Sequence, residues 1–181
     1  MTEELEVLAI VTRRLESAGI GYMVTGSIAA NYYAVPRMTR DIDIVVELSA
    51  HDTDRVCALF EEDFYVDRDA VREAIAARGT FNMIHHAYVV KVDLIVRKDT
   101  EYRRVEFGRR RRASIERHEF AIVAPEDLII SKLDWARDTR SEIQVSDARN
   151  LVASVPDLDR EYLRRWSERL GLGDLYREAA G

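Results

Sequence analysis

A chain of 181 residues with 47% hydrophobic and 33% charged residues, 8 Gly and 3 Pro is long enough to bury one core and has no low-complexity tract or flexible linker. Its net charge of −6 argues against a protein that coats nucleic acid through a basic surface, and its single cysteine excludes an intramolecular disulfide. No window is apolar for the length of a membrane span, and the acidic start Met1-Thr2-Glu3-Glu4 is unlike a signal peptide, so a cytoplasmic protein with no membrane partner is expected.

From Thr2 to Ala18 the residues Leu5, Leu8, Val11 and Leu15 recur at helical spacing, with Thr2 as N-cap and Gly19 as the stop. A short apolar strand at 21–25 follows, then a turn at Gly26-Ser27 and a helix from Ile28 to Val35 ended by Pro36. Residues 41–48 read as a second strand, 52–62 as a helix holding Cys57 on its apolar face, and 69–78 as a more polar helix. Thr80–His85 and Tyr88–Val96 predict an antiparallel hairpin. A short helix at 102–107, a strand at 119–124 and a helix from Pro125 to Arg140 come next, the last with an acidic first turn and a basic end that suit the helix dipole. Further helices are expected at 144–154, 159–170 and 172–179. This predicts an α+β fold, a short mixed sheet flanked by helices at 1–124 followed by a helical region at 125–181.

Three aspartates stand out against this pattern: Asp41 and Asp43 in Arg40-Asp41-Ile42-Asp43-Ile44, and Asp93 in Lys91-Val92-Asp93-Leu94. Asp is depleted in strands, and a buried unpaired carboxylate is costly. In a strand Asp41 and Asp43 point to one face while Ile42 and Ile44 point to the other, and Asp93 lies opposite Val92 and Leu94. If the two strands are neighbours, the three acids converge as hard oxygen donors suited to Mg²⁺ or Mn²⁺, and such ions can stabilise the attacking and leaving oxygens of a displacement at phosphorus. Gly26 lets a phosphate approach the backbone, and Ser27 adds a hydroxyl and an amide at a helix start.

Gly26-Ser27, thirteen residues, Asp41-Ile42-Asp43 and a later strand aspartate together resemble the DNA polymerase β-like nucleotidyltransferase superfamily. The run Tyr33-Ala34-Val35-Pro36-Arg37-Met38-Thr39-Arg40 before the acids is similar to the minimal nucleotidyltransferases and the toxins of type IV abortive-infection systems. Pro125-Glu126-Asp127-Leu128-Ile129-Ile130-Ser131-Lys132-Leu133 and Asp147-Ala148-Arg149 extend the likeness over most of residues 19–155. The resemblance implies transfer of a nucleoside monophosphate from an NTP to a hydroxyl, with Asp41, Asp43 and Asp93 binding metal and doing the chemistry. It implies that Gly26, Ser27, Arg37, Arg40 and Lys132 hold the nucleotide, Arg37 and Arg40 either contacting phosphate or neutralising carboxylates. Lys132 either reaches the triphosphate or is a snorkelling helix lysine; Asp147 is a weaker candidate. The acceptor is a protein, an RNA such as tRNA, or a small molecule. A toxin with a cognate antitoxin and a binding module without turnover are the alternatives.

Other features read as structural. His85-His86 reads as a turn, because adjacent residues face opposite sides of a strand and no acid lies at ligand spacing. Trp135 and Trp166 are expected to fill helix interfaces. The run Arg109-Arg110-Arg111-Arg112 is expected to be either a solvated face or a docking surface for a polyanion.

Overall fold

The computed structural model describes residues 2–39, 41–139 and 141–181. In chain order the elements are α1 (Glu3–Ser17), β1 (Tyr22–Thr25), α2 (Gly26–Tyr33), β2 (Asp41–Val46), α3 (Thr53–Phe60), β3 (Phe64–Val66), α4 (Arg68–Ala77), β4 (Thr80–His85) and β5 (Lys91–Val96). They continue with α5 (Glu101–Gly108), β6 (Arg111–Ile115), β7 (His118–Ile122), α6 (Pro125–Thr139), α7 (Glu142–Ser154), α8 (Arg160–Arg169) and α9 (Gly173–Ala180). The α1 start is set by Thr2, whose hydroxyl accepts from the Leu5 amide, and its end by Gly19 at a φ of +65°. The fold is of the α+β class.

The strands form one sheet in the order β3-β4-β5-β2-β1-β7-β6. β2 runs parallel to β5 and β1 parallel to β7, while the other neighbours are antiparallel. One face of β2 and β5 supplies Ile42, Ile44, Val46, Val92, Leu94 and Val96, all fully buried. Burying six such side chains contributes on the order of 10 kcal/mol before chain entropy is counted. A one-residue slip of either strand would exchange these side chains with the acids, so the apolar face fixes where the acids stand.

Two strands escape the sequence pattern. β3 has three residues, too few for alternation to register, and β6 opens with the last two arginines of the run. At a sheet edge Arg111 and Arg112 keep the unpaired rim charged, which discourages edge-to-edge association. Arg110, Arg111 and Arg112 are exposed, as expected of a solvated face, and the run is also tied to the rest of the fold. Arg109 bonds Asp127 at 2.8 Å and Glu126 at 3.1 Å, Arg112 bonds Glu16 at 2.8 Å, and Arg110 lies over the Phe107 ring. The first-turn acids of α6 thus do more than complement a dipole, since the fully buried Asp127 also accepts from the Tyr102 and Tyr162 hydroxyls at 3.1 and 2.6 Å.

His85 ends β4, stacks on Tyr88 and accepts the Tyr88 amide through Nδ1 at 3.3 Å, so it builds the turn as expected. Trp166 packs between Tyr102 and Tyr162, as expected of an interface residue, whereas Trp135 is 54% exposed, contrary to that expectation. Trp135 stands on the outer side of α6, where the buried stripe of Ile129, Leu133 and Ala136 excludes it. No helix among the described residues is long and apolar enough to cross a membrane.

Buried His118 on β7 lies 2.7 Å from the hydroxyl of buried Thr12 on α1, which itself donates to the Leu8 carbonyl at 2.8 Å. Burial pushes the imidazole below its usual pKa, with Arg13 adding to the effect. The unfolded chain therefore takes up this proton more readily, so the stability contribution is present above the unfolded pKa of about 6.5 and is lost as pH falls below it. Urea midpoints compared at about pH 7.5 and pH 5.5 should show a smaller drop for His118→Gln than for the unaltered protein.

Candidate functional site

β2 and β5 pair in parallel with Asp43 directly beside Asp93 and Asp41 directly beside Lys91. β1 pairs antiparallel on the other flank of β2, bringing Thr25 opposite Asp43 and thus Gly26-Ser27 to the same end of the sheet. The three acids that the sequence separates by up to fifty-two residues stand on one face at one sheet end. Asp41, Asp43 and Asp93 share the face opposite Ile42, Ile44, Val92 and Leu94.

Asp43 is the inner member. Burial pushes its carboxyl above the usual range, the neighbouring Asp93 and Asp41 add to the rise, and Lys132 and the Ser27 amide oppose it. The Ser27 amide, an otherwise orphaned donor of the first turn of α2, therefore has Asp43 as its acceptor, while the N-cap residue Thr25 makes no side-chain cap bond. Gly26 makes this approach possible. Its φ is +63°, and a Cβ there would lie 1.9 Å from Asp43 Oδ2 and 2.8 Å from Asp43 Cβ, so the whole Asp43 side chain would have to move.

A second layer of charge lies behind the turn. Lys132 of α6 is buried, 5% exposed, and its ammonium donates to Asp147 of α7 at 2.8 Å. It is therefore not a snorkelling lysine, whose head would be in water. Arg37 donates to both Asp147 oxygens at 3.2 and 3.1 Å and to the Ser27 hydroxyl at 2.9 Å. The carboxylate it neutralises is Asp147 and not one of the three strand acids. Burial alone would raise the Asp147 carboxyl, but the hydrogen bonds from Arg37 and Lys132 outweigh it and hold the group below its usual range. Arg40, the other arginine expected here, lies outside the described residues.

Asn31 is the residue sequence reasoning missed. Its side chain donates to the Arg37 carbonyl at 2.7 Å and accepts the Arg37 amide at 2.9 Å, fastening the segment after α2 back onto that helix. An Asn five residues before the helix-ending Pro36 was the available signal, a side chain able to satisfy backbone groups where the helical ladder stops.

The donor set suits a hard divalent cation: carboxylate oxygens on one face, one of them desolvated and crowded by like charge that a cation would relieve. Among the described residues, however, no three His, Cys, Asp or Glu side chains already form a metal cage. Lys91 stands among them, its ammonium 2.9 Å from Asp93 Oδ2 and 3.8 Å from Asp41 Oδ1. The hydrogen bond to Asp93 holds that ammonium above its usual pKa.

Residues 4–171 match the family described as nucleotidyl transferase of unknown function. The chain belongs to that nucleotidyltransferase family. Its fold is shared by ANT(2'')-Ia, solved in complex with adenylyl-2''-tobramycin, at a TM-score of 0.59 and 14% identity over 100% of both chains. It is shared also by an antigenic nucleotidyltransferase-like protein from Paracoccidioides brasiliensis, at 0.58 and 17% identity over 99% of this chain and 93% of that one. Lincosamide antibiotic adenylyltransferase LnuA, solved with lincomycin bound, gives 0.53 and 13% identity over 83% of this nucleotidyltransferase and 96% of that chain. No curated protein matches this nucleotidyltransferase in sequence.

Two variants separate the cost of this site from its use. Gly26→Ala should lose about 2 kcal/mol or more in denaturant unfolding, and less in an Asp43→Ala background, where the contacts with the carboxyl group are gone and only the one with Cβ remains. Asp43 carries a raised folded-state pKa, so its contribution to stability is lost as pH rises through that value. With EDTA present, Asp43→Asn should therefore be more stable than the unaltered protein at pH about 8, the gap narrowing on acidification.

Proposed function

We propose that this nucleotidyltransferase moves a nucleoside monophosphate from an NTP to a hydroxyl acceptor, releasing pyrophosphate. The observation that carries the reading is the β2–β5 register, which sets Asp43 beside Asp93 on the face of Asp41 and against the Gly26-Ser27 turn. In this reading Asp41, Asp43 and Asp93 hold Mg²⁺ or Mn²⁺. Bound divalent ions supply charge neutralisation at the triphosphate and at the attacking oxygen.

The chain's own groups do the rest. Gly26 and Ser27 receive phosphate oxygens at the start of α2, while Lys132 and Arg37 stand behind them as positive charge for the triphosphate. Arg40 joins them on the strength of its place in the sequence. The acceptor oxygen attacks the α-phosphorus, the bond from that phosphorus to the bridging oxygen of the β-phosphate breaks, and the acceptor proton passes to the Asp93 carboxylate. In this reading the Gly26-Ser27 turn and its basic neighbours serve binding, and the three acids serve chemistry.

The neighbours' small-molecule ligands, tobramycin in its adenylylated form and lincomycin, make ATP and a hydroxyl-bearing small molecule the first substrates to try. Proteins and tRNA are the other acceptor classes. In a toxin, with the same chemistry, the acceptor is tRNA or a partner protein and a cognate antitoxin accompanies it.

The test is transfer of label from each α-labelled NTP, with Mg²⁺ or Mn²⁺, into small-molecule hydroxyl acceptors, total tRNA, cell extract and the protein itself. Label is expected to appear in one class and to vanish in Asp41→Ala/Asp43→Ala. Persistence of label in that variant would remove the acids from the chemistry, and absence of transfer with every NTP and acceptor would favour a binding module that does not turn over.

A further inference from the structure

Lys91 occupies a position that an ordinary surface lysine does not. It lies two residues before Asp93 on β5, so both side chains leave the same face, and the parallel register places it directly beside Asp41. Its ammonium thereby reaches Asp93 at 2.9 Å and Asp41 at 3.8 Å while its side chain remains 41% exposed. An exposed lysine–carboxylate pair is usually worth no more than about 1 kcal/mol. Here the pair spans two of the three carboxylates assigned to a divalent cation, and an ammonium cannot share those oxygens with such a cation without strong like-charge repulsion at short range.

Resting on the metal reading above, we propose that Lys91 is a tethered counter-ion: it neutralises the acid face while the site awaits substrate, and it must swing out before Asp41 and Asp93 can take a divalent cation together. Its flexible four-carbon stem and partial exposure give the ammonium somewhere to go. The cation alone then competes against a covalently attached rival at high local concentration. A metal–triphosphate complex has the additional hold of Gly26, Ser27, Arg37 and Lys132, so metal and nucleotide bind with positive coupling. Lys91 is a positioning residue in this scheme, setting the order in which the site fills and taking no part in bond making.

Titration of the metal-free protein with Mn²⁺, followed by the loss of the free-ion electron paramagnetic resonance signal, tests this without any turnover. Lys91→Met keeps the stem and removes the charge; it should bind Mn²⁺ about tenfold more tightly in the absence of nucleotide, a gain typical of removing one close like charge. Its melting temperature in EDTA should fall below that of the unaltered protein and rise further on adding Mn²⁺, whereas Lys91→Arg should keep the weak affinity. Equal or weaker Mn²⁺ binding by Lys91→Met, with Asp43→Asn still abolishing binding, would overturn the counter-ion role and leave the metal reading standing. Absence of Asp43-dependent Mn²⁺ binding in both the unaltered protein and Lys91→Met would overturn the metal reading and the inference with it.

Discussion

Two carboxylates side by side in adjacent parallel strands repel, and Asp43 beside Asp93 is such a pair, with one member substantially removed from water. The rest of the site is arranged around the need to offset that repulsion. The Ser27 amide and Lys132 act on Asp43, and Lys91 acts on Asp93 and Asp41. None of these groups alone cancels it, and the Asp43 carboxyl stays above its usual range. What holds the pair together is on the opposite face of the same strands, where Ile42, Ile44, Val92 and Leu94 are fully buried and admit no other register. Apolar packing on one side of the sheet thus maintains an electrostatically unfavourable arrangement on the other, a pattern more often found where groups are held for use than where they serve stability.

Charge in the helical part is handled differently. Glu126 and Asp127 in the first turn of α6 are as buried as any acid in the chain, but Arg109, Tyr102, Tyr162 and the Asp159 amide satisfy them. Arg103 and Ser131 do the same for Glu106, whose buried carboxyl is nevertheless pushed up by desolvation. These networks draw α5, β6, α6 and α8 together and leave few donors over. The Lys132–Asp147–Arg37 cluster resembles them in composition, yet it opens onto the Ser27 hydroxyl, and Arg37 is 41% exposed. The same chemistry closes on itself in one place and faces solvent in the other.

The sequence was most legible where a period forced the outcome. Alternation in 41–46 and 91–96 puts acids and aliphatics on opposite faces whatever the rest of the chain does, and it also reveals the hairpin of β4 and β5. The neighbourhood of β2 and β5 was a condition the pattern could pose but not answer, because parallel strands far apart in sequence carry no local mark of their pairing. β6 was hidden because arginine is not a strand-former and its placement answers to distant acids, Glu16 and Glu126, rather than to its neighbours. For Lys132 the sequence left reach to a triphosphate and snorkelling equally open, since Asp147, the partner that rules out snorkelling, is on another helix. Asn31 was missed for a related reason: its place near a helix end hints at capping, but its bonds are to backbone groups, which every residue possesses, so the sequence does not say which ones it holds.

The grip of Asn31 on Arg37 has a kinetic side. Residues 34–39, after α2, have no regular secondary structure, and a segment of that kind ordinarily samples many conformations that a ligand must narrow on arrival. With both backbone groups of Arg37 held to α2, and its guanidinium anchored on Asp147, much of that narrowing is already complete in the folded protein. In the proposed reading an anion reaching the Ser27 turn would meet a donor array that needs little rearrangement, so its capture would be governed by diffusion and charge more than by the ordering of a loop.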